Sequence, residues 1–242
     1  MMKEAIATLQ KWIDESNNIV FFGGAGCSTE SGIKDFRSVD GLYSESYEYP
    51  PETILSYSFF ERRPDVFYKF HRDKLVCPDA KPNPAHLKLA ELERAGKLRA
   101  VITQNIDGLH QEAGSKEVLE LHGTIHRAYC AQCKVPFPED VMHYGEGVPR
   151  CKCGGVVRPD IVLYEEGLDQ HVLETSVDYI EQADILIVGG TSLVVYPAAG
   201  LLRYYQGKKL VLINMDPTPY DKRADLVIHG PIGQVLGSIQ VN

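Results

Sequence analysis

The stretch Ile102-Thr-Gln-Asn-Ile-Asp-Gly-Leu-His110 joins a short apolar run to a polar turn, and it decides the interpretation of the chain. The apolar residues Ala100–Ile102 are typical of a buried parallel strand that ends at the edge of a pocket. Gln104, Asn105 and Asp107 follow this strand directly and supply two amides and a carboxylate within four positions. We therefore expect a ligand-binding site at this end of the strand.

A histidine and a cysteine pair follow shortly after this turn. Leu121-His-Gly123 comes after a second apolar-bearing run, and a glycine beside His122 leaves room for a ligand to approach the imidazole. Cys130-Ala-Gln-Cys133 begins within ten residues of that histidine. The segment predicts an active site beside a structural metal, although a buried core histidine remains the alternative for His122.

The cysteine spacing is the strongest metal signal. A Cys-x-x-Cys pair, 17 residues and a Cys-x-Cys pair predict a tetrahedral Zn²⁺ site. All four ligands come from the protein, so we expect a structural ion; a catalytic zinc would need a histidine or water in place of one cysteine. The predicted ligands are Cys130, Cys133, Cys151 and Cys153.

The order of apolar runs predicts the fold class. Runs near residues 19, 100, 185, 210 and 226 alternate with helical patterns, which indicates an α/β, Rossmann-like, doubly wound parallel sheet. Ligands of such sheets bind beyond the carboxyl ends of the strands. We predict an NAD-binding domain from residues 1–124 and 160–242, a small zinc-binding insert at 125–159 and a helical cofactor-loop module around 38–80.

The first apolar run leads into a glycine-rich loop, Gly23-Gly-Ala-Gly-Cys-Ser-Thr29. Such a loop, followed by a helix N-terminus, is typical of a dinucleotide pyrophosphate site. The fingerprint is imperfect, because Thr29 stands at the third glycine position and no acidic residue follows about 20 residues later. Phe36 and Arg37 in the next loop could stack on and pair with a cofactor, or Phe36 could simply anchor the loop.

The amino-acid composition and the net charge limit which classes of function are plausible. The 242 residues are 44% hydrophobic and 24% charged, with a net charge of −8, which is typical of a globular protein. The charge argues against a nucleic-acid binder held by bulk electrostatics and is compatible with basic peptide substrates. We expect no signal peptide, no apolar run of about 18 residues that could span a membrane, and a cytoplasmic location with reduced cysteines.

Together these motifs resemble the sirtuins, the NAD-dependent protein lysine deacylases, over residues 19 to 232. Each motif is modest alone, but their order is specific, and it explains why the acidic residue of a dehydrogenase is missing. The motifs are Gly24-Ala-Gly-Cys-Ser28, Asp35-Phe-Arg-Ser38, Thr103-Gln-Asn-Ile-Asp107, Leu109-His110, Leu121-His-Gly123, the four cysteines, Arg158-Pro159, Gly190-Thr-Ser-Leu193 and Ile213-Asn214.

The resemblance implies a deacetylase that moves the acyl group of an acetylated protein or peptide lysine to ADP-ribose and releases nicotinamide. His122 is implied as the general base, assisted by Asn105, and an imidazole near its ordinary pKa suits that proton transfer. In the NAD pocket, Gln104 would contact the ribose, whereas Ile106 and Asp107 would hold the carboxamide. The remaining implied NAD residues are Ala25, Thr29, Phe36, Arg37, Thr191, Ser192, Asn214 and Ile232.

The residues expected to contact the substrate are also implied by the resemblance to the sirtuins. Val162, Leu193 and Val194 are implied to pair with the substrate backbone as an added strand. Sirtuins that remove acidic acyl groups carry a Tyr-x-x-Arg pair, and here Tyr68 is present but His71 stands at the arginine position. Since a neutral histidine cannot pair bidentately with a carboxylate, we expect acetyl to be preferred over succinyl.

Three residues depart from the family pattern. Lys34 stands where proline is usual, while Glu165 and Gly167 stand where glycine and asparagine are common. The first could alter the cofactor loop, and the other two could alter peptide choice. Alternative functions are a zinc-containing NAD dehydrogenase, a non-catalytic NAD-binding module, a mono-ADP-ribosyltransferase and a deacylase that prefers longer acyl groups.

Overall fold

The computed structural model describes residues 2–36, 38, 40–44 and 47–241, so the predicted NAD residue Arg37 lies outside the described residues. The main sheet has six parallel strands in the order β3-β2-β1-β7-β8-β9. Its strands are β1 (Ile19–Gly23), β2 (Leu98–Thr103), β3 (Val118–Glu120), β7 (Ile185–Gly189), β8 (Leu210–Asn214) and β9 (Leu226–His229). The prediction of a doubly wound parallel sheet is confirmed.

A second sheet of three strands flanks the two segments that carry the cysteine pairs. It is antiparallel, in the order β5-β4-β6, with β4 pairing to both neighbours. The strands are β4 (Gly123–Cys130), β5 (Pro136–Phe137) and β6 (Val157–Ile161).

Helices cover both faces of the main sheet and form a separate segment after residue 50. The α-helices are α1 (Met2–Glu15), α2 (Pro51–Ile54), α3 (Tyr57–Arg62), α4 (Pro64–Phe70), α5 (Pro84–Arg94), α6 (Leu109–Glu112), α7 (Asp140–His143), α8 (Gln170–Gln182) and α9 (Ile232–Gly237). Short 3₁₀ helices span Ala25–Cys27, Thr29–Ser31, Leu42–Ser44, Ala198–Tyr204 and Asp221–Arg223, and a π-helical turn spans His71–Leu75.

Alternate residues of the central strands belong to two hydrophobic cores, one on each face of the main sheet. In β1, Phe21 packs with α1, α5 and α9, whereas Val20 and Phe22 pack with α8 and the 3₁₀ helix Ala198–Tyr204. Successive side chains of a strand point to opposite faces, so a fully apolar strand requires cover on both sides. This double cover holds the strand ends, and therefore the turns that follow them, in fixed positions.

A third core joins the helices α2 to α4 to the antiparallel sheet. Phe59, Phe60, Phe67 and Tyr68 pack there with residues of β4 and β6. Among the described residues, no helix is long and apolar enough to cross a membrane.

Four local predictions need correction. The glycine loop after β1 leads into two 3₁₀ turns rather than a regular helix. The apolar-bearing run at 118–120 was not counted as a sheet strand, yet it forms β3 at the sheet edge. The residues Asp160–Tyr164 are strand-like in sequence, but the strand β6 lies earlier, at Val157–Ile161. The pattern of Asp65–Val76 predicts one helix, but the helix α4 ends at Phe70 and a π-helical turn follows from His71.

Candidate active site and metal centre

A cleft of about 740 Å³ lies at the carboxyl edge of the main sheet. It is lined by the turns after β1, β2, β7, β8 and β9, as the position of the polar turns predicts. Most of the predicted site residues line it, namely Ala25, Thr29, Phe36, Gln104, Asn105, Ile106, Asp107, His122, Val162, Thr191, Ser192, Asn214 and Ile232.

Two glycine-containing turns, one after β1 and one after β7, pack against each other and line the cleft. The Gly26 N–H donates to the Gly190 carbonyl at 2.8 Å. Gly190 has a φ of +59°, and a Cβ there would lie 2.3 Å from the Cys27 nitrogen, so a side chain is excluded. These glycines therefore serve the close approach of two backbones, and the cleft forms above them.

Polar side chains link the turns that would face a nucleotide. Gln104 donates its amide N–H to the Thr191 hydroxyl at 3.0 Å, and the Thr191 N–H donates to Asn214 Oδ1 at 2.9 Å. Asn214 Nδ2 is buried and has no partner within the described residues. An unsatisfied donor is costly, so a donor at a cleft-lining residue fits a sugar or phosphate oxygen of a dinucleotide.

A second network fixes the carboxylate of Asp107, the residue for which the resemblance implies a contact with the nicotinamide carboxamide. Ser28 Oγ donates to Asp107 Oδ2 at 2.6 Å, and Asn105 Nδ2 donates to Ser28 Oγ at 3.0 Å. The Leu109 N–H donates to the other Asp107 oxygen at 3.0 Å. Ser28 was not among the predicted site residues, because nothing in the local pattern shows that two turns 79 positions apart meet.

His122 is a neutral imidazole with one free nitrogen. Its Nδ1 lies 3.0 Å from the Gln104 carbonyl, which can only accept, so Nδ1 carries the proton and Nε2 carries a lone pair. Burial lowers the pKa of His122 below its ordinary value, which corrects the expectation of an unperturbed ring. The side chain lines the cleft, so a base is available there at neutral pH.

Gly123 has a different role from the predicted one. It has a φ of +73°, and a Cβ would lie 2.0 Å from the Asp160 carbonyl oxygen. The glycine is therefore required by the close approach of β6 to β4, rather than by a ligand. The Val162 N–H then donates to the His122 carbonyl at 2.9 Å, which sets the chain after β6 along the cleft.

The predicted substrate contacts are only partly at the cleft. Val162 lines it, but Leu193 is 2% exposed within the core at a φ of +57°, and Val194 is 49% exposed at the surface. The following residues, Tyr196 among them, line the cleft instead. The roles of Leu193 and Val194 stay predictions.

Among the departures from the family pattern, Glu165 has a local explanation. Glu165 has a φ of +77°, a region that favours glycine, and its carboxylate accepts from the Ser58 N–H at 2.9 Å and the Ser58 hydroxyl at 3.0 Å. This contact sits in the first turn of α3, where a negative charge is favourable. Gly167 has nothing within 4 Å of an added Cβ, so packing does not require glycine there. Lys34 lines the cleft.

Tyr68 and His71, which stand at the acyl-selecting positions of the family pattern, do not line the cleft. Tyr68 donates to the Val157 carbonyl, and His71 is fully buried against Phe67, with ring centroids 6.0 Å apart. Burial lowers the pKa of His71 to about 3, so the ring is neutral and shielded from solvent. A π-helical turn begins at His71, and the next residue, Arg72, donates to the Met142 carbonyl at 3.1 Å.

The four predicted zinc ligands converge. Their sulfurs lie within 4.8 Å of one another, with separations of 3.5 Å for Cys130–Cys153 and 3.6 Å for Cys133–Cys151. Zn–S bonds of about 2.3 Å place tetrahedral sulfurs about 3.8 Å apart, so the cluster fits a zinc ion. The Cys133 N–H points at Cys130 Sγ and lowers the pKa of that thiol to about 6, which favours the thiolate ligand.

Comparisons with known proteins agree with this geometry. The Sir2 family model matches residues 24–197. A Clostridium perfringens protein named NAD-dependent protein deacetylase is 57% identical over 242 residues, covering 98% of this chain and 99% of that protein.

Two solved structures share both the fold and the sequence pattern. A Sir2–p53 peptide–NAD⁺ complex is 40% identical with a TM-score of 0.85, covering 96% of this chain and 95% of that one. A Sir2 variant with a deacetylated p53 peptide and 3′-O-acetyl ADP-ribose is 40% identical with a TM-score of 0.88 and the same coverage. Since the relative spans nearly the whole chain at more than half identity, the chain belongs to the Sir2 family.

Proposed function

We propose that this protein is an NAD-dependent protein lysine deacetylase that transfers the acetyl group to ADP-ribose. The observation that carries the proposal is the neutral His122, whose Nε2 lone pair is available in the same cleft as the Asp107 network. Bound NAD would supply the ribose carbon from which nicotinamide leaves and the hydroxyl that takes the acetyl group. The names of the relatives support this reaction class.

Different turns at the edge of the sheet would bind different parts of NAD. The Gln104 and Asp107 segment would hold the ribose and the nicotinamide carboxamide, with Ile106 beside the ring. The unsatisfied Asn214 donor supports an adenosine half that rests on the β7 and β8 turns. The other proposed NAD contacts are Ala25, Thr29, Phe36, Arg37, Thr191, Ser192 and Ile232.

His122 would act as the general base. The hydrogen bond from Nδ1 to the Gln104 carbonyl orients the ring and leaves the Nε2 lone pair as the base that would accept a proton from a ribose hydroxyl of bound NAD. The same carbonyl stabilises the imidazolium once the proton has moved. Asn105, held by Ser28, would orient a water or the ribose beside this base.

The substrate would be an acetylated lysine in an extended protein segment. Val162 lines the cleft and would pair with the peptide backbone as an added strand, together with Leu193 and Val194, which lead into the cleft-lining residues Val195 and Tyr196. We also infer that uncharged acyl groups are preferred, because His71 is neutral and lies outside the lining of the cleft.

The cysteine cluster would hold a structural zinc. Four thiolates leave no open coordination position, so the ion would stabilise the β4–β6 region and take no part in the reaction. We propose residues 125–159 as the zinc-binding insert within the NAD-binding domain, and 38–80 as the cofactor-loop module. Reduced, metal-binding thiols and a net charge of −8 support a cytoplasmic protein without nucleic-acid partners.

Mass spectrometry of an acetyl-lysine peptide incubated with the protein tests the proposal. We expect loss of the acetyl group only when NAD is present. Gain of ADP-ribose on the peptide would favour a mono-ADP-ribosyltransferase, and NADH formation would favour a dehydrogenase; either result without deacetylation would refute the proposal.

A further inference from the structure

His126 lies outside the cleft lining and bridges the back of the Asp107 turn to the segment before α7. Its Nε2 lies 3.0 Å from the Asp107 carbonyl oxygen, and its Nδ1 lies 2.5 Å from Glu139 Oε2. Both partners are acceptors, so both contacts are hydrogen bonds only when both ring nitrogens carry a proton. No local sequence pattern singles out this histidine.

The Asp107 turn is held on both sides. Its carboxylate accepts from Ser28 inside the cleft, while its peptide carbonyl accepts from His126 outside. The Ile125 N–H also donates to the Ile106 carbonyl at 3.1 Å. A Cβ on Gly108 would lie 2.7 Å from the His126 ring, so the glycine lets the ring pack directly under the turn.

We propose that His126 is a positioning residue for the Asp107 carboxylate, and that loss of one ring proton releases this hold. The inference rests on the proposed function, because it concerns the turn that would receive the nicotinamide carboxamide. It predicts that NAD affinity, rather than the chemical step, depends on the charge of a side chain that does not line the cleft.

The charges around the ring favour the imidazolium. Burial opposes the charge, but the hydrogen bond to the Asp107 carbonyl and the nearby Glu139 outweigh it, with a smaller contribution from Glu120, so the pKa of His126 is raised. On α7, the His143 ring lies 6.3 Å away, and burial lowers its pKa. On β4 itself, Arg127 pairs with both Glu120 on β3 and Asp160 on β6.

The sign of the pH effect follows from the raised pKa. The hydrogen bond from His126 to the Asp107 carbonyl is fully formed at low pH, and it is lost as the pH rises through the pKa of His126. A neutral ring has one N–H, and the charge-assisted bond to the Glu139 carboxylate is the stronger of the two. Deprotonation therefore removes the bond to Asp107 and leaves a ring lone pair facing a carbonyl oxygen.

The test uses steady-state kinetics with NAD and an acetyl-lysine peptide from pH 6 to 9. His126→Phe keeps a packing ring but removes both donors; His171→Phe, on the exposed surface of α8, is the matched control. We expect His126→Phe to raise the KM for NAD about tenfold at pH 7, with kcat within about threefold. Tenfold corresponds to about 1.4 kcal/mol, within the range of a hydrogen bond to a charged group.

The pH profile separates positioning from mere structural support. The KM of the parent protein for NAD should rise with pH, that of His126→Phe should stay flat, and Glu139→Gln should move the rise to lower pH. A parent-like KM in His126→Phe, or an unchanged rise in both variants, would overturn the inference. Glu139→Gln keeps the test valid if His126→Phe does not fold.

Calorimetric Kd values for NAD separate this inference from the proposed function. The Kd should follow the same pattern as the KM without any turnover. A parent protein that binds NAD but does not deacetylate contradicts the proposed function, whereas a pH-independent Kd in that protein contradicts the role of His126.

Discussion

Replacing Glu166 by glutamine tests how the cleft wall is held. Arg158 is 4% exposed, and its two terminal nitrogens donate to the two Glu166 oxygens at 2.7 Å each. Glu166 also accepts from the Leu163 N–H at 2.9 Å, so the pair fixes the segment that carries Val162. Glutamine keeps the shape and one acceptor, but it leaves the buried guanidinium without a counter-charge.

The structure sets the size of the effect. Removal of one partner of a buried ion pair costs about 3–5 kcal/mol. Glu166 is 25% exposed and glutamine retains one bond to Arg158, so we expect about 2–3 kcal/mol here. For a chain of this length, 1 kcal/mol corresponds to about 2–4 °C, so the Tm should fall by roughly 4–12 °C.

Thermal unfolding of Glu166→Gln beside Glu174→Gln, the same change on the exposed face of α8, measures this effect. Burial opposes ionisation, but Arg158 outweighs it and lowers the pKa of Glu166. A carboxyl with a lowered pKa stabilises the fold above its unfolded pKa, about 4.3, and loses that contribution as the pH falls. The Tm gap to the parent should therefore be nearly constant from pH 7 to about 5 and narrow as the pH falls below about 4.3. A gap below about 2 °C at pH 7, or one that does not narrow below about pH 4.3, would refute the reasoning.

Further predictions concern catalysis, the metal and the acyl group. His122→Ala should lower kcat about 10²–10⁴-fold while calorimetry still detects NAD binding, and turnover within a few-fold of the parent would contradict this. Because burial lowers the pKa of His122, the acid limb of kcat/KM should lie below pH 6.5 rather than at it. Cys130→Ala should lower folding yield, Tm and zinc content together; a folded, zinc-free and fully active variant would rule out a structural ion. Acetyl-lysine should exceed succinyl-lysine in kcat/KM on one peptide at pH 7.5, and a succinyl value equal to or above it would contradict the role of neutral His71.

Sequence patterns predicted the fold where a residue's neighbours in the chain decide its structure. Fully apolar runs such as Val20–Phe22 and Ile185–Val188 require cover on both faces, which fixes strand type and sheet class. The edge strand β3 is short and only partly buried, so its signal was too weak to count as a strand. The π turn at His71 also has no sequence signature, because it depends on how α4 packs against β6 and α7.

The sequence indicates that the site lies at the carboxyl edge of the sheet, but it does not indicate which side chains contact one another there. Turns that follow parallel strands lie at one edge of the sheet, and Gln104, Asp107 and Asn214 all line the cleft at that edge. The pairing of Ser28 with Asp107, and the support from His126, join residues that are distant in the chain. The positive φ of Glu165 was equally hidden, since its compensation comes from Ser58 in another element.

The most direct test of the central claim is a stoichiometry. Purified protein, NAD and an acetyl-lysine peptide are incubated, and released nicotinamide, deacetylated peptide and acetylated ADP-ribose are quantified together. We predict equal amounts of all three products, and loss of all three in His122→Ala. Nicotinamide release without deacetylation, or free acetate in place of acetylated ADP-ribose from the first turnover, would contradict the account.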